Sequence, residues 1–222
     1  MRILLFGATG MVGQGVLREC LLDAEVTQVQ TIGRTATGQT HPKLKELVHA
    51  DLFNYEAIKA ELTGFDACFF CLGTPSFRKS EADYRRITHD LTMEAARTLS
   101  KLNPRMTFIY VSGDGADTSE TGPVMWARIR GRTENALQLL NFNAVYIFRL
   151  GIIQPLHGIK SKTFLYRVFY SLAKPVLPLL RKKYPNVIST TEQIGRAMLH
   201  VAKRGADRPL LKSQDFERVL KA

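Results

Sequence analysis

Residues 6–17, FGATGMVGQGVL, come directly after the short apolar run 2–6. Gly7, Gly10 and Gly13 are spaced three apart in this stretch, in the pattern G-x-x-G-x-x-G. A strand that turns sharply into a helix through glycines leaves backbone N–H groups aimed at an anion, as in sites for a dinucleotide pyrophosphate. A tight turn with a glycine retained only for packing is the alternative interpretation. The predicted cofactor contacts in this loop are Gly7, Thr9, Gly10, Met11, Val12 and Gly13.

Strand-like and helix-like segments alternate along the chain. The predicted strands cover 2–6, 26–32, 47–50, 66–72, 106–111 and 144–150. The predicted helices cover 11–22, 55–62, 81–102, 123–140 and 190–204. This order predicts an α/β fold, a Rossmann-like doubly wound parallel sheet with helices on both faces. We expect residues 1–222 to form a single domain, in which 152–190 makes a small C-terminal cap on the substrate side.

The composition is typical of one cytoplasmic domain. Of 222 residues, 45% are hydrophobic, which is enough for a core without disulfides. Three cysteines, an odd number, fit a reducing compartment. The five histidines lack the spacing of a metal site, so no metal is expected. The chain shows no signal-peptide pattern and no apolar stretch of about 18 residues, which makes the cytoplasm the expected location.

Positive charge is concentrated in one part of the chain. The net charge is +11, and between Glu134 and Glu192 there are eight Lys or Arg residues and no acidic one. Within this region, 163–183 mixes large apolar and basic side chains. Three interpretations stay open: a cap packed on the core, peripheral contact with a membrane surface, or the face of a homodimer. Nucleic acid is not expected as a partner, because no helix-turn-helix or stacking motif accompanies the charge.

The end of the second predicted strand indicates the type of cofactor. Sites that select NAD place an Asp or Glu there to bind the ribose 2′-hydroxyl. This chain has no acidic residue from Val26 to Lys45, and it has Arg34 instead. A guanidinium suits a 2′-phosphate, so NADP is favoured over NAD. The alternative is that Arg34 is an ordinary solvated loop residue.

Six short segments carry a resemblance to a known family. They are LLFGATGMVG, TIGRT, ADLFN, CFFCLGT, IYVSGDG and FRLGIIQP, in this order along roughly residues 1–155. The chain resembles the atypical short-chain dehydrogenase/reductases, in particular the Tat-interacting-protein-like oxidoreductases and bacterial NAD(P)H-binding, epimerase-like proteins. The resemblance implies an NAD(P)-binding Rossmann fold and a small-molecule substrate.

The resemblance also implies a role for several residues at the carboxyl ends of strands. Asp51 and Leu52 would meet the adenine, and Ser112 matches the active-site serine of the family. Further cofactor contacts are implied for Leu72, Gly73, Thr74, Arg149 and Gly151. All these positions lie where an open α/β sheet binds its ligands.

The catalytic Tyr–Lys pair of the family is replaced here. Trp126 stands at the position of the tyrosine and Arg130 at that of the lysine. An indole N–H does not titrate usefully, and arginine does not give up its proton. Trp126 could stack on the nicotinamide or on a substrate ring, and Arg130 could still hold the ribose. Tyr84, Tyr110 and Tyr146 lie in predicted helix starts or strands, so none is an obvious substitute for the tyrosine.

Two functional hypotheses follow from these residues. The first is an NADP-binding oxidoreductase or epimerase-like protein that acts on a small unknown substrate, with Ser112 polarising a carbonyl and Asp114 as one source of the proton. The second is a non-catalytic regulator that binds NADPH and acts through a partner or a membrane surface. Both require a bound nucleotide, and the missing Tyr–Lys pair favours the second.

Overall fold

The structure, a computed structural model, describes residues 1–159, 180 and 187–221. The strands in chain order are β1 (Arg2–Phe6), β2 (Gln28–Gly33), β3 (Leu44–Val48), β4 (Ala67–Phe70), β5 (Thr107–Gly113), β6 (Ala144–Leu150), β7 (Ile152–Gln154), β8 (Ile188–Thr190) and β9 (Leu210–Lys212). Seven of them form one sheet in the order β3-β2-β1-β4-β5-β6-β9, and every neighbouring pair is parallel. The predicted Rossmann-like doubly wound sheet is confirmed.

Helices cover both faces of this sheet. Among the described residues the helices in chain order are α1 (Met11–Leu22), α2 (Glu81–Arg85), α3 (Leu91–Leu102), α4 (Met125–Gln138), α5 (Thr191–Arg204) and α6 (Phe216–Lys221). A π-helical turn, Arg86–Asp90, joins α2 to α3, so the two form one continuous helical segment. Shorter 3₁₀ turns lie at Glu56–Ile58, Ala60–Leu62 and Ser213–Asp215.

Alternate side chains of each strand enter two separate cores. Ile3 and Leu5 point to the face covered by α1 and α5, whereas Leu4 and Phe6 point to the face covered by α3 and α4. The second core is rich in aromatic rings, with Phe6 stacked on Phe70 at 5.1 Å between centroids. Burial of each such side chain stabilises the fold by roughly 1.5–3 kcal/mol. The two cores therefore fix both layers of helices on the sheet.

The strand order reverses next to β1. The chain runs outward from β1 through β2 to β3, and then returns to the other side of β1 to form β4. Loops that leave β1 and β4 in opposite directions open a crevice at the carboxyl edge of the sheet, which is where open α/β sheets bind ligands. The glycine loop after β1 lies at this point.

The predicted elements differ from the observed ones mainly at the edges. β3 begins three residues earlier than predicted, and the predicted helix 55–62 is a pair of 3₁₀ turns. The Asn54 side chain accepts the Glu56 N–H at 3.0 Å and closes a tight turn there, which favours 3₁₀ geometry. β7, β8, β9 and α6 were not predicted from the sequence. These strands have three residues each, too few for a period to be recognised.

The predicted cap, 152–190, is described only at its two ends. There β7 pairs with β8 in parallel as a separate two-stranded sheet. The rest of the cap lies outside the described residues, and so does the basic segment 163–183 apart from Leu180. The three interpretations of that segment stay predictions. Among the helices that the structure describes, none is long and apolar enough to cross a membrane.

Candidate functional site

Two positions at the glycine loop after β1 have no room for a side chain. Gly7 has a φ of +77°, and a Cβ added to it would lie 2.7 Å from the backbone of Cys71 and Leu72. A Cβ added to Gly13 would lie 2.1 Å from the carbonyl oxygen of Gly7. The N–H of Gly10 donates to that same carbonyl at 2.9 Å and closes the turn. The end of β1 and the first turn of α1 are therefore packed backbone against backbone.

The start of α1 is suited to an anion. Gly10 is the N-cap, and among the described residues no side chain accepts a hydrogen bond from the first N–H groups of the helix. The first turn also contains no acidic residue. Free N–H groups and the positive end of the helix dipole together attract a phosphate. Thr9, Met11 and Val12 lie in or beside this turn, as predicted from the spacing.

The loops after β2 and β3 lie at the carboxyl edge of the sheet, where the sequence predicts contacts with the adenosine half of the cofactor. Arg34 is exposed directly after β2, and no acidic side chain of the described residues pairs with it. The carboxylate of Glu46 is occupied by the N–H of Thr37 at 2.5 Å, which holds the loop that carries Arg34. Asp51 is exposed but accepts the N–H of Phe53 at 2.9 Å, while Leu52 is buried. Arg34 is thus an exposed cation at the carboxyl end of β2 without an acidic partner among the described residues.

A buried network lies at the carboxyl ends of β5 and β6. The Glu134 carboxylate of α4 accepts the Ser112 hydroxyl at 2.5 Å. It also accepts both Nε (3.1 Å) and Nη2 (2.5 Å) of Arg149. All three residues are less than 10% exposed. Ser112 and Arg149 therefore both donate hydrogen bonds to Glu134. The predicted contacts of Ser112 with the substrate and of Arg149 with the cofactor stay predictions.

Trp126 and Arg130 lie side by side over the loop that follows β5. A Cβ at Gly113 would be 3.7 Å from both the Trp126 ring and the Arg130 Cδ, and one at Gly115 would be 3.3 Å from the Trp126 ring. Small residues in this loop give the indole room to lie against the backbone. The Arg130 Nη2 reaches to within 3.8 Å of a Cβ position at Gly73, which follows β4. The structure thus brings two predicted site residues and the loop after β4 together.

The Arg130 guanidinium is held by groups that come from two other elements. Its Nε donates to the hydroxyl of Tyr84 on α2 at 3.1 Å, and its Nη1 donates to the carbonyl of Val111 at 3.4 Å. Burial lowers the pKa of Arg130, but the nearby phenols of Tyr110 and Tyr84 and the Glu134 carboxylate outweigh it and raise the pKa overall. Burial also raises the pKa of Tyr110 to about 12. At neutral pH the Arg130 guanidinium is therefore a fixed cation.

Two functional neighbours were not identified from the sequence. Glu134 is the single acidic residue of α4 and lies one helical turn after Arg130, which was the available signal for it. Tyr84 gave no such signal, because 46 residues separate it from Arg130. Asp114, in contrast, is exposed and pairs with Lys212 at 3.1 Å, away from the buried network. The Gly151 N–H donates to the Ser213 hydroxyl at 3.4 Å, at the start of the region that leads to the cap.

The comparison with known families agrees with this geometry. The model of a family described as NAD(P)H-binding matches residues 7–138, more than half of the chain. The chain belongs to this NAD(P)H-binding family. The match covers the glycine loop, the loop after β4 and most of α4, so the family assignment rests on the elements that build the site.

Curated relatives include fungal and mammalian proteins. The mitochondrial protein FMP52 of Chaetomium globosum is 28% identical over 152 residues, which cover 68% of this chain and 65% of that protein. Protein HTATIP2 of Rattus norvegicus is 28% identical over 155 residues, which cover 68% of this chain and 62% of that protein. The chain therefore spans just under two thirds of the length of these relatives.

Solved structures share the fold at low sequence identity. A UDP-glucose 4-epimerase of Thermotoga maritima has a TM-score of 0.71 and 13% identity, over 100% of this chain and 82% of that chain. The Bordetella bronchiseptica enzyme WbmF in complex with NAD⁺ has a TM-score of 0.67 and 12% identity, over 99% of this chain and 77% of that chain. The predicted resemblance to short-chain dehydrogenase/reductases and epimerase-like Rossmann proteins is confirmed.

Proposed function

We propose that this chain binds NADPH in preference to NADH and acts as an oxidoreductase or epimerase-like protein on a small substrate. The observation that carries the proposal is the start of α1, where uncapped N–H groups and a turn without acidic side chains face the crevice. The exposed Arg34 supports the choice of NADP. The three free cysteines fit a reducing compartment, and we keep the cytoplasm as part of the proposal.

The residues present fit a dinucleotide along the carboxyl edge of the sheet. Gly10 and the first turn of α1 would hold the pyrophosphate, and Arg34 the 2′-phosphate. Leu52 would line the adenine, and Arg130 would bind the nicotinamide ribose. When bound, such a cofactor supplies or accepts a hydride. Trp126, half-buried over the loop after β5, would exclude water from the nicotinamide side.

Fluorescence of Trp126 tests the proposal. Trp126 is the single tryptophan of the chain. On excitation of the indole, we expect titration with NADPH to quench its emission and to produce energy transfer to the reduced nicotinamide, at lower concentrations than titration with NADH. A folded sample that responds to neither nucleotide would remove the cofactor proposal.

The preference for NADPH should depend on Arg34. We expect Arg34→Ala to weaken NADPH binding roughly tenfold and to leave NADH binding within about twofold, because a guanidinium–phosphate pair is a strong, charge-assisted interaction. Arg105→Ala is the matched control, since Arg105 is also exposed but precedes β5, at the opposite edge of the sheet. If the Arg34 variant lost affinity equally for NADPH and NADH, this would contradict the assignment of Arg34 to the 2′-phosphate.

A regulatory function that binds NADPH without consuming it is the second candidate. It is favoured by one observation: Trp126 and Arg130 cannot exchange protons at neutral pH, and the Ser112 hydroxyl is bonded to Glu134. The double variant Trp126→Tyr with Arg130→Lys distinguishes the two functions. If only the double variant oxidises NADPH with a panel of carbonyl compounds, the regulatory function is supported. Turnover by the unmodified chain supports the first function.

A further inference from the structure

We propose that Tyr84 is the positioning residue for Arg130, and that it sets the guanidinium in the orientation needed to bind the nicotinamide-ribose half of the cofactor. This inference rests on the proposed function, because it assigns a role toward the same nucleotide. It adds a residue from a different helix, α2, to the site.

Two hydrogen bonds fix the plane of the Arg130 guanidinium. Nε donates to the Tyr84 hydroxyl at 3.1 Å and Nη1 donates to the Val111 carbonyl at 3.4 Å. Arginine has five N–H donors in a rigid fork, so two bonds to different nitrogens determine its orientation. The remaining donors find no acceptor among the described residues. They lie by Gly73, which is exposed at the carboxyl end of β4.

Among the described residues, Tyr84 is the side chain that accepts a hydrogen bond from Arg130. The carboxylate nearest to Arg130 along α4, that of Glu134, is already bonded to Arg149 and Ser112. Without the phenol, the Nε of Arg130 would have no side-chain partner among the described residues. Tyr84 is only 1% exposed, so its hydroxyl acts through Arg130 and does not itself touch a substrate.

The helix that carries Tyr84 is itself fixed against α4. Glu81, at the start of α2, pairs with Arg128 of α4 at 2.8 Å. Ser80 caps the same helix through the N–H of Asp83 at 3.1 Å. Tyr84 lies between these contacts and the π-helical turn Arg86–Asp90, so its ring has little freedom to move. A rigid support of this kind is what keeps a ligand-binding side chain in one orientation.

The binding of two ligands distinguishes a positioning role of Tyr84 from a general structural one. NADPH includes the nicotinamide riboside, whereas adenosine 2′,5′-bisphosphate contains only the adenosine half with its phosphates. We expect Tyr84→Phe to weaken NADPH binding roughly five- to tenfold, which is the effect of losing one ordinary hydrogen bond. Binding of adenosine 2′,5′-bisphosphate should stay within about twofold of the unmodified chain, because Arg130 does not reach that half.

Tyr110→Phe is the matched control. Tyr110 is also 1% exposed and lies close to Arg130, but its hydroxyl does not bond the guanidinium. This variant should leave the affinity for NADPH unchanged. In a third variant, Arg130→Gln, NADPH binding should already be weakened, and adding Tyr84→Phe should change it by less than about twofold.

Calorimetric titration of these variants gives distinct outcomes. The inference is supported if Tyr84→Phe weakens the binding of NADPH but not of adenosine 2′,5′-bisphosphate. Tyr110→Phe should then bind NADPH normally, and Tyr84→Phe should have no further effect in the Arg130→Gln background. Equal losses of affinity for both ligands, or additive effects of Tyr84→Phe and Arg130→Gln on NADPH affinity, would show that Tyr84 is only structural. Either result would overturn the inference. If the unmodified chain binds neither ligand, the proposed function fails first and this inference with it.

Discussion

Replacing Gly13 by alanine is expected to weaken NADPH binding by more than about tenfold and to lower the free energy of unfolding by roughly 1–3 kcal/mol, the usual cost of overpacking. The added Cβ would lie 2.1 Å from the carbonyl oxygen and 2.7 Å from the carbonyl carbon of Gly7. Both atoms belong to the backbone, so no flexible side chain can move aside. The first turn of α1 must shift away from β1, and the N–H groups that face the crevice shift with it.

Gly33→Ala is the control for this prediction. Gly33 ends β2, has an ordinary φ, and its nearest non-neighbouring atom would be 3.8 Å from the new Cβ. We expect this variant to unfold in urea at nearly the same midpoint as the unmodified chain. Urea unfolding and NADPH titration of both variants check the prediction. If Gly13→Ala keeps its affinity and its midpoint, the close packing of β1 against α1 does not constrain the site as described.

Replacing Glu134 by glutamine is expected to lower the free energy of unfolding by about 3–5 kcal/mol, because it leaves a buried guanidinium without its counter-charge. Arg149 is 8% exposed and makes its side-chain bonds to Glu134. A glutamine amide can accept one of these bonds but cannot neutralise the charge. The Ser112 hydroxyl would also compete for the single remaining oxygen.

An exposed pair provides the comparison for Glu134. Glu217 and Lys221 on α6 are 3.8 Å apart, with side chains 61% and 79% exposed. Glu217→Gln makes the same chemical change in water and should cost less than about 1 kcal/mol. Equilibrium unfolding in urea measures both variants. If both variants lose the same small amount of unfolding free energy, Arg149 must find another partner or reach solvent when Glu134 is changed.

The sequence was sufficient where short-range constraints decide the structure. β1 and α1 have the predicted bounds because the turn from strand to helix leaves no room for a Cβ at Gly7 or Gly13, so the glycine spacing marks where the turn lies. The central strands were recognised because both of their faces are buried, which requires continuous apolar runs. β9 could not be recognised in the same way, since its three residues form a strand only by pairing with β6.

The sequence by itself determined that this chain folds as a doubly wound sheet with a glycine loop after the first strand. It also predicted, through the resemblance, that Trp126 and Arg130 stand where the family has its catalytic pair. Only the tertiary structure decided which side chains meet there. Buried charge requires a partner, so Arg149 and Ser112 are drawn to Glu134. The Arg130 guanidinium donates its Nε–H to the hydroxyl of Tyr84, which lies 46 residues away along the chain. Such pairings depend on how helices cross over the sheet, which spacing along the chain does not encode.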